Sequence, residues 1–144
     1  MRVRGWSNPA PFFFGTFARV AIGSASMIKR LDTLEIATTD LADAASIYKK
    51  NFGFSVIQSA DGKSASMKIG SAEIRLVTSA RIDSSNEGMI GLWLEAEDVE
   101  QVVANFHMAG LEAGAIEIES GRRILTIDPK FANQVPLFIF DRKA

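Results

Sequence analysis

The chain has 144 residues, of which 47% are hydrophobic and 23% charged, a composition typical of a soluble globular domain rather than of a disordered chain. It contains no cysteine and one histidine, His107, which excludes disulfide scaffolds, thiolate metal sites, thiol nucleophiles and multi-histidine metal sites within one chain. Sixteen basic and 17 acidic residues give a formal charge of −1, so there is no global electrostatic attraction to nucleic acid. We therefore expect no nucleic-acid partner.

Residues 1–26 differ in composition from the rest of the chain. They contain three arginines and no acid, so residues 27–144 hold 13 basic and 17 acidic side chains, a charge of −4. Three interpretations stay open: an export signal, a mitochondrial-type presequence, or a flexible or loosely docked extension before a misassigned start, with Met27 the working one. We prefer the third, because Arg19 interrupts the apolar stretch and two prolines lie where a signal helix would run. No stretch reaches the roughly 18 apolar residues of a membrane span, so we expect no membrane contact and a cytoplasmic location.

The next segment predicts a strand, a helix and three further strands. Residues 31–37 alternate polar and apolar side chains, the period of a half-buried strand. Asp40 is a suitable N-cap for a helix that ends at Gly53. The apolar face of that helix comprises Leu41, Ala44, Ala45 and Tyr48. Strands are predicted to follow at Phe54–Ser59, Ser64–Ile69 and Glu73–Thr78, with a hairpin turn at Asp61-Gly62.

The same pattern then restarts. A strand is predicted at Gly91–Ala96, and Asp98 caps a helix that ends at Gly110. The buried stripe of that helix comprises Val99, Val102, Val103 and Phe106. The remaining strands are predicted at Ala115–Glu119, Arg123–Ile127 and Pro136–Phe140. Asp40 and Asp98 are 58 residues apart, which indicates an internal duplication. The boundaries are about 30–78 for module 1, a polar linker at 79–88, and about 89–141 for module 2.

Several spaced motifs carry a family resemblance. They are Leu31–Ala37, Thr39-Asp40-Leu41, Tyr48, Phe52-Gly53-Phe54, Leu92–Val99, Ala109-Gly110-Leu111 and Asp128-Pro129-Lys130. With them the chain resembles the vicinal oxygen chelate superfamily of glyoxalases, bleomycin-resistance proteins and extradiol dioxygenases, over residues 30–141. The resemblance implies an α+β fold of two tandem βαβββ modules, a cupped half-barrel sheet with the helices outside. It also implies a small-molecule ligand and a homodimer, but it is weak for activity because this fold hosts many chemistries.

The resemblance also implies where a metal would be held. The four ligand positions of the family fall on Thr33, at or next to Arg75, on Gly91, and on Phe138 with Pro136 as its alternative. Only the threonine hydroxyl is a ligand, and a weak one, and an arginine repels a cation. We therefore predict no cofactor and no metal ligands, and expect a divalent metal only if the ligands are displaced from these positions.

Strand alternation places two carboxylates, Glu35 and Glu95, on the cup face as a pseudosymmetric pair. They are the candidates for catalysis, and with water they would suit a hard ion such as Mg²⁺. The alternative is that they are partly solvated or form ion pairs with Arg75 or Arg123. His107 is interpreted as a surface residue at a helix end, where its charged form suits the dipole.

The predicted lining of the cup is aromatic with a few charges, as small-molecule sites often are. The candidate ligand-binding residues are Thr33, Glu35, Arg75, Trp93, Glu95, Phe138 and Phe140. Trp93 and Phe138 would stack on a planar or cationic ligand unless they pack in the core. Arg75 would hold a carboxylate or phosphate, unless it pairs with Glu35 or Glu73. The pairs Lys49-Lys50 and Arg122-Arg123 are interpreted as solvated charges.

Three functions are compatible with this pattern. The first is a metal-independent protein of the bleomycin-resistance type that binds a small molecule in an aromatic-lined cavity. The second is a lyase, epimerase or dioxygenase with displaced metal ligands, in which Glu35 or Glu95 removes a proton and Arg75 stabilises the enolate. The third is a structural or regulatory module with a vestigial cavity.

Overall fold

A computed structural model describes residues 27–78 and 87–144 of the chain. The expected extension at 1–26 and most of the expected linker, 79–86, lie outside the described residues. The helices are α1 (Leu41–Phe52) and α2 (Val99–Met108), with a short 3₁₀ helix at Pro129–Phe131. The strands are β1 (Ile28–Ala37), β2 (Ile57–Gln58), β3 (Ser64–Ile69), β4 (Ala72–Val77), β5 (Gly88–Ala96), β6 (Ile116–Glu119), β7 (Arg122–Ile127) and β8 (Leu137–Asp141).

The eight strands form one sheet in the order β2-β3-β4-β1-β5-β8-β7-β6. Each half repeats one arrangement, in which the first strand runs parallel to the last: β1 with β4, and β5 with β8. The halves are joined by the antiparallel pairing of β1 with β5. The predicted α+β fold of two tandem βαβββ modules is therefore confirmed, and both modules contribute to one continuous sheet.

Helix α1 forms as the sequence predicts. The Asp40 side chain accepts a hydrogen bond of 3.0 Å from the Asp43 N–H, and Gly53 closes the other end in the left-handed conformation. The apolar stripe of α1 packs on the sheet, where Leu41 joins the core made by Ala65, Met67 and Leu76. Burial of these strand residues leaves the alternate positions of β3 and β4 on the opposite face.

Helix α2 covers the second half of the sheet in the same way. The Asp98 carboxylate accepts a hydrogen bond of 2.9 Å from the Glu100 N–H. The predicted stripe, Val99, Val102, Val103 and Phe106, packs on a core that includes Leu125 and Ile139. Both helices thus lie on one side of the sheet, and the other side carries the cup.

Several boundaries differ from the predictions, most of them by one residue. The first strand of each module is longer than predicted: β1 begins at Ile28 instead of Leu31, and β5 at Gly88 instead of Gly91. The strand predicted at Phe54–Ser59 is only the two residues of β2, because Phe54 and Val56 pack towards α1 instead of extending the pairing with β3. Helix α2 ends at Met108 with Ala109 as its cap, and Gly110 supplies the positive φ one residue later. The last strand is Leu137–Asp141, one residue later than predicted at both ends, although the carbonyl oxygen of Pro136 still accepts a hydrogen bond from the Leu92 N–H. Neither helix in the described ranges is long and apolar enough to cross a membrane.

Candidate functional site

The face of the sheet opposite the helices carries the candidate site residues. Residues that pair across neighbouring strands point to the same face, so the register defines this lining. The pairs are Thr33 with Glu73 and Trp93, Glu35 with Arg75 and Gly91, Trp93 with Phe138, and Glu95 with Phe140. The structure therefore brings all seven predicted ligand-binding residues to one concave surface, here called the cup.

The four positions that the resemblance assigns to metal ligands do not fit a divalent ion. Thr33 is 3% exposed, and its hydroxyl already donates a 2.8 Å hydrogen bond to Asp32. Arg75 brings a positive charge, Gly91 has no side chain, and Phe138 offers only carbon. In residues 27–78 and 87–144, no three His, Cys, Asp or Glu side chains are grouped to hold a metal ion.

The space beside Gly91 is already filled by neighbouring side chains. A Cβ atom built on Gly91 would lie 3.0 Å from Phe138 Cε2, 3.3 Å from Glu35 Oε1 and 3.3 Å from Trp93 Nε1. A histidine at this position would therefore require the phenylalanine ring and the carboxylate to move. The centre of the cup is built around glycine and aromatic packing.

The hypothesis of a two-carboxylate Mg²⁺ site is wrong. Glu35 lies opposite Gly91, and Glu95 is four residues farther along β5, about 13 Å at the rise of a strand. The duplication offset of 58 residues makes Trp93, not Glu95, the counterpart of Glu35. The two carboxylates are therefore neither equivalent nor close enough to share an ion.

Each carboxylate has its own basic partners. Glu35 lies 3.7 Å from Arg75, as the ion-pair alternative predicts. Glu95 is 7% exposed and accepts a 3.0 Å hydrogen bond from Arg30 Nε. Pairing of either carboxylate with Arg123 is wrong, because Arg123 lies on the helix side of the sheet and bonds to Asp141 at 2.6 Å.

The first half of the cup is lined by a row of alternating charges. Lys68 lies 3.1 Å from Glu73, Glu73 lies 3.0 Å from Arg75, and Arg75 lies 3.7 Å from Glu35. Two hydrogen bonds from the guanidinium of Arg75 go to Glu73, at 3.0 and 3.2 Å. Arg75 is thus neutralised by acids on both sides. Of the two predicted alternatives, an anion-binding residue or a member of an internal ion pair, the structure shows the ion pair.

The second half of the cup is lined by aromatic rings in mutual contact. Trp93 and Phe138 stack with their centroids 4.5 Å apart, and Phe140 meets Trp93 edge-on at 6.2 Å. No planar ligand fits between rings this close, so a ligand would lie over them. Phe140 is fully buried behind its neighbours. Within the described part of the chain, Trp93 Nε1 is buried and has no hydrogen-bond partner.

Two arginines that were not predicted as site residues complete this half. The carbon at the centre of the Arg122 guanidinium lies 5.2 Å from the ring centres of both Trp93 and Phe140. Arg142 lies 5.3 Å from the ring centre of Phe140. The prediction of solvated charges at Arg122-Arg123 is therefore wrong for both residues, since Arg123 forms the ion pairs on the helix side. Strand alternation could have found both residues. Arg142 is two residues after Phe140, and Arg122 is two residues before the residue that pairs with Phe140, so both point to the cup face.

Glu95 is the centre of a charge cluster at one end of the cup. It lies 3.0 Å from Arg30, 3.4 Å from Arg142 and 3.9 Å from Lys29. Arg30 also bonds to Asp32 at 2.6 Å. Burial of this carboxylate is thus offset by three cations, which makes Glu95 a structural partner of the arginines.

His107 and two surface grooves lie away from the cup. His107 is exposed in the last turn of α2, as predicted. A groove of about 420 Å³ runs beside α1 and includes Lys49 and Lys50, and one of about 290 Å³ lies at the 3₁₀ helix. Neither groove is lined by a predicted site residue.

The profile of the Glyoxalase/Bleomycin resistance protein/Dioxygenase superfamily matches residues 30–124. The chain belongs to this superfamily. The predicted family is thereby confirmed, while the sequence matches none of the functionally curated proteins.

Solved structures of similar fold include epimerases. A methylmalonyl-CoA epimerase from Mycobacterium tuberculosis has a TM-score of 0.64 and 20% identity, over 82% of this chain and 91% of that chain. A methylmalonyl-CoA epimerase from Streptomyces coelicolor, in complex with 2-nitronate-propionyl-CoA, has a TM-score of 0.61 and 22% identity over 81% and 96%. A hypothetical protein from Bacillus halodurans C-125 has a TM-score of 0.61 and 17% identity over 80% and 95%. At these identities the likeness concerns the fold.

Proposed function

We propose that this superfamily member is a metal-independent protein that binds a small organic molecule in the cup. The observation that carries the proposal is the set of residues at the four expected metal positions: a hydroxyl already bonded to Asp32, a neutralised arginine, a glycine and a phenylalanine. The arginine repels a cation, and the other three residues offer it no free ligand atom. This set leaves a surface of aromatic rings bordered by charges, the usual make-up of a small-molecule site.

The aromatic half of the cup supports binding of an apolar or planar group. Trp93 and Phe138 present one stacked surface, and Trp93 is only partly buried. The buried N–H of Trp93 lacks an acceptor, a state that costs about 1–3 kcal/mol and that an acceptor on a ligand would relieve after a small shift of the ring. The charges of the other half would then contact the polar part of the ligand.

Fluorescence of Trp93 tests the binding proposal. The full chain carrying Trp6→Phe has Trp93 as its only tryptophan. We expect saturable quenching by a subset of aromatic carboxylates, phosphates and amines, and loss of affinity in Phe138→Ala. Phe52→Leu, which changes an exposed ring of α1, is the matched control and should leave affinity unchanged. If no compound perturbs Trp93, the proposed cavity is wrong.

Metal titration tests the other half of the proposal. We expect no stoichiometric binding when Mn²⁺, Ni²⁺, Zn²⁺ or Fe²⁺ is added to the purified protein, measured by calorimetry and by elemental analysis after dialysis. Tight binding of one ion per chain that is lost in Glu35→Gln would contradict metal independence. Retention in Glu35→Gln would also contradict metal independence, but it would place the ion away from Glu35 and leave the aromatic ligand site to be tested by fluorescence.

Proton abstraction is the second candidate function, favoured by one contact. Glu35 and Arg75 lie 3.7 Å apart at the centre of the cup, so a carboxylate that removes a proton next to a carbonyl would stand beside a cation that stabilises the enolate. The epimerases of similar fold make methylmalonyl-CoA the first compound to test. Exchange of its α-proton in D₂O, abolished in Glu35→Gln and retained in Glu97→Gln, would support this candidate. No exchange above the buffer rate would exclude it for this substrate.

The resemblance to the superfamily also supports a homodimer and a cytoplasmic location, with residues 27–144 as the folded domain. Sedimentation equilibrium tests the first, and cell fractionation of the full chain tests the second. A monomer at micromolar concentration would contradict the dimer.

A further inference from the structure

We infer that the ligand of the cup carries an oxyanion, a carboxylate or a phosphate, and that Arg122 and Arg142 bind it beside the aromatic rings. This rests on the proposed binding function and names the chemical class of its ligand. The site differs from the one that the sequence suggested, which was Arg75.

The first step is the orientation of Arg122. Its guanidinium lies 5.2 Å from the ring centres of Trp93 and Phe140, and its side chain is 25% exposed. In the described part of the chain its acidic partner is Glu119, at 3.9 Å and mostly exposed, which is a weak contact. The centre of this guanidinium lies close to both rings, and the edge N–H groups of a guanidinium match both oxygens of a carboxylate or phosphate.

The second step is the position of Arg142. Its guanidinium lies 5.3 Å from the same Phe140 ring centre, so the two guanidinium carbons are at most about 10.5 Å apart. Nε of Arg142 lies 3.4 Å from Glu95, but its side chain is 59% exposed and Asp32 is as far as 4.0 Å away. The outer N–H groups of Arg142 are therefore open to a ligand at this end of the cup.

The third step is the balance of charge at this end of the cup. Three cations share two enclosed acids, Asp32 and Glu95: they are Lys29, Arg30 and Arg142. Among the described residues the fourth cation, Arg122, has the exposed Glu119 at 3.9 Å as its acidic partner. Arg30 is satisfied by both acids and by the carbonyl oxygen of Ser71. The excess positive charge thus lies on Arg122 and Arg142, which border the rings. An anion is therefore attracted most strongly there.

The same contacts argue against a cationic ligand, and against Arg75 as the residue that binds the anion. Arg122 already occupies the ring faces that a cation would use. Arg75 lies between Glu73 and Glu35, so an anion there would have to displace a carboxylate. The ligand that fits is therefore an aromatic or acyl group beside the stacked rings of Trp93 and Phe138, with its oxyanion towards Arg122.

NMR titration of the full-length Trp6→Phe protein tests this inference with four probes: benzoate, phenyl phosphate, benzyl alcohol and inorganic phosphate. We expect benzoate or phenyl phosphate to move the Trp93 indole N–H signal at about tenfold lower concentration than benzyl alcohol. The phosphate and carboxylate probes together identify the preferred anion. The advantage should shrink in high salt.

Variants locate the anion. Arg122→Gln and, independently, the more exposed Arg142→Gln should each remove most of the tenfold preference, while Arg122→Lys should keep part of it because the charge remains without the two-pronged edge. Lys130→Gln, which removes a cation 5.0 Å from the Phe131 ring outside the cup, is the matched control and should change nothing. Arg142→Gln keeps the test available if the substitution at Arg122 disturbs folding.

The outcomes separate this inference from the proposed function. Equal binding of benzoate and benzyl alcohol, or a preference that survives both glutamine variants, overturns the anion site and leaves the aromatic cup standing. Binding of inorganic phosphate alone, lost in Arg122→Gln, supports the anion site and contradicts the aromatic one. No response to any probe contradicts both.

Discussion

The carboxylate of Asp141 fastens the last strand to the start of helix α2, and its removal should lower stability measurably. Asp141 is 1% exposed and accepts hydrogen bonds from Arg123 at 2.6 and 3.0 Å and from the backbone N–H of Val99 at 2.8 Å. Burial raises the pKa of this carboxyl, but the bonds from Arg123, Val99 and Lys143 outweigh it and lower the pKa from 3.8 to about 2.

The magnitude follows from that difference. A carboxyl whose pKa falls from 3.8 to about 2 on folding adds about 2 kcal/mol to the free energy of unfolding at neutral pH. Removing one partner of a buried ion pair costs about 3–5 kcal/mol in other proteins. Because Arg123 keeps Asp98 and Glu100 as partners, we expect Asp141→Asn to lose about 2–4 kcal/mol.

The pH dependence gives a sharper test than the loss alone. The folded pKa lies below the unfolded one, so the contribution is present above pH 4 and is lost as the pH falls towards 2. Urea unfolding of wild type and Asp141→Asn should differ by the full amount at pH 7, and roughly two-thirds of the carboxyl's contribution should be gone at pH 2.5. Asp128→Asn, at an exposed carboxylate 3.6 Å from Lys130, is the control and should cost about 1 kcal/mol or less.

A difference below about 0.5 kcal/mol at pH 7, which is the error of such measurements, would refute the reasoning. So would a difference that stays constant down to pH 2.5, because that would assign the loss to packing and not to the charge. Since Asp141 lies on the helix side of the sheet, quenching of Trp93 by cup ligands should be unaltered in the folded variant.

Three further predictions concern stability and the centre of the cup. Gly91→Ala should cost about 1–3 kcal/mol, because the new Cβ meets the Phe138 ring at 3.0 Å; a neutral result in thermal unfolding would mean that the ring yields freely. Leu76→Ala, at a fully buried core position, should cost about 2–5 kcal/mol in denaturant unfolding, against about 0.5 kcal/mol or less for Ile57→Ala at an exposed one. Asp40→Ala should cost about 1 kcal/mol by removing the cap of α1, and unchanged stability would show that water replaces that bond.

The elements of the fold could be predicted from local signals. Asp40, Asp98 and Gly53 mark helix ends because a cap needs only its own neighbours, and the helix stripes follow from the period of 3.6. The same cap signal recurs 58 residues later, at Asp98 after Asp40, and this repeat predicts the duplication. The length of β2 could not be predicted this way, since Phe54 and Val56 obtain their burial from α1 rather than from the strand pairing.

The partners of the cup residues could not be predicted from alternation. Alternation gives the face of a residue, but β1 pairs Arg30 with Glu95, Leu31 with Leu94 and Thr33 with Trp93, so Asp32 is an extra residue at that point. This irregularity brings Arg30 onto the cup face, where unbroken alternation from Thr33 would put Lys29. The hydrogen bond from Arg30 to Glu95 depends on that single residue.

The antiparallel joint between β1 and β5 has a consequence for stoichiometry. It merges two copies of one ancestral unit into a single surface, yet the copies have diverged, the first presenting the charged row of Glu35 and Arg75 and the second the rings of Trp93 and Phe138. The concave face therefore has a direction: one end differs from the other and no twofold relation survives in its chemistry. If the cup binds a ligand as proposed, we therefore expect one molecule per chain in one orientation, and not two equivalent sites.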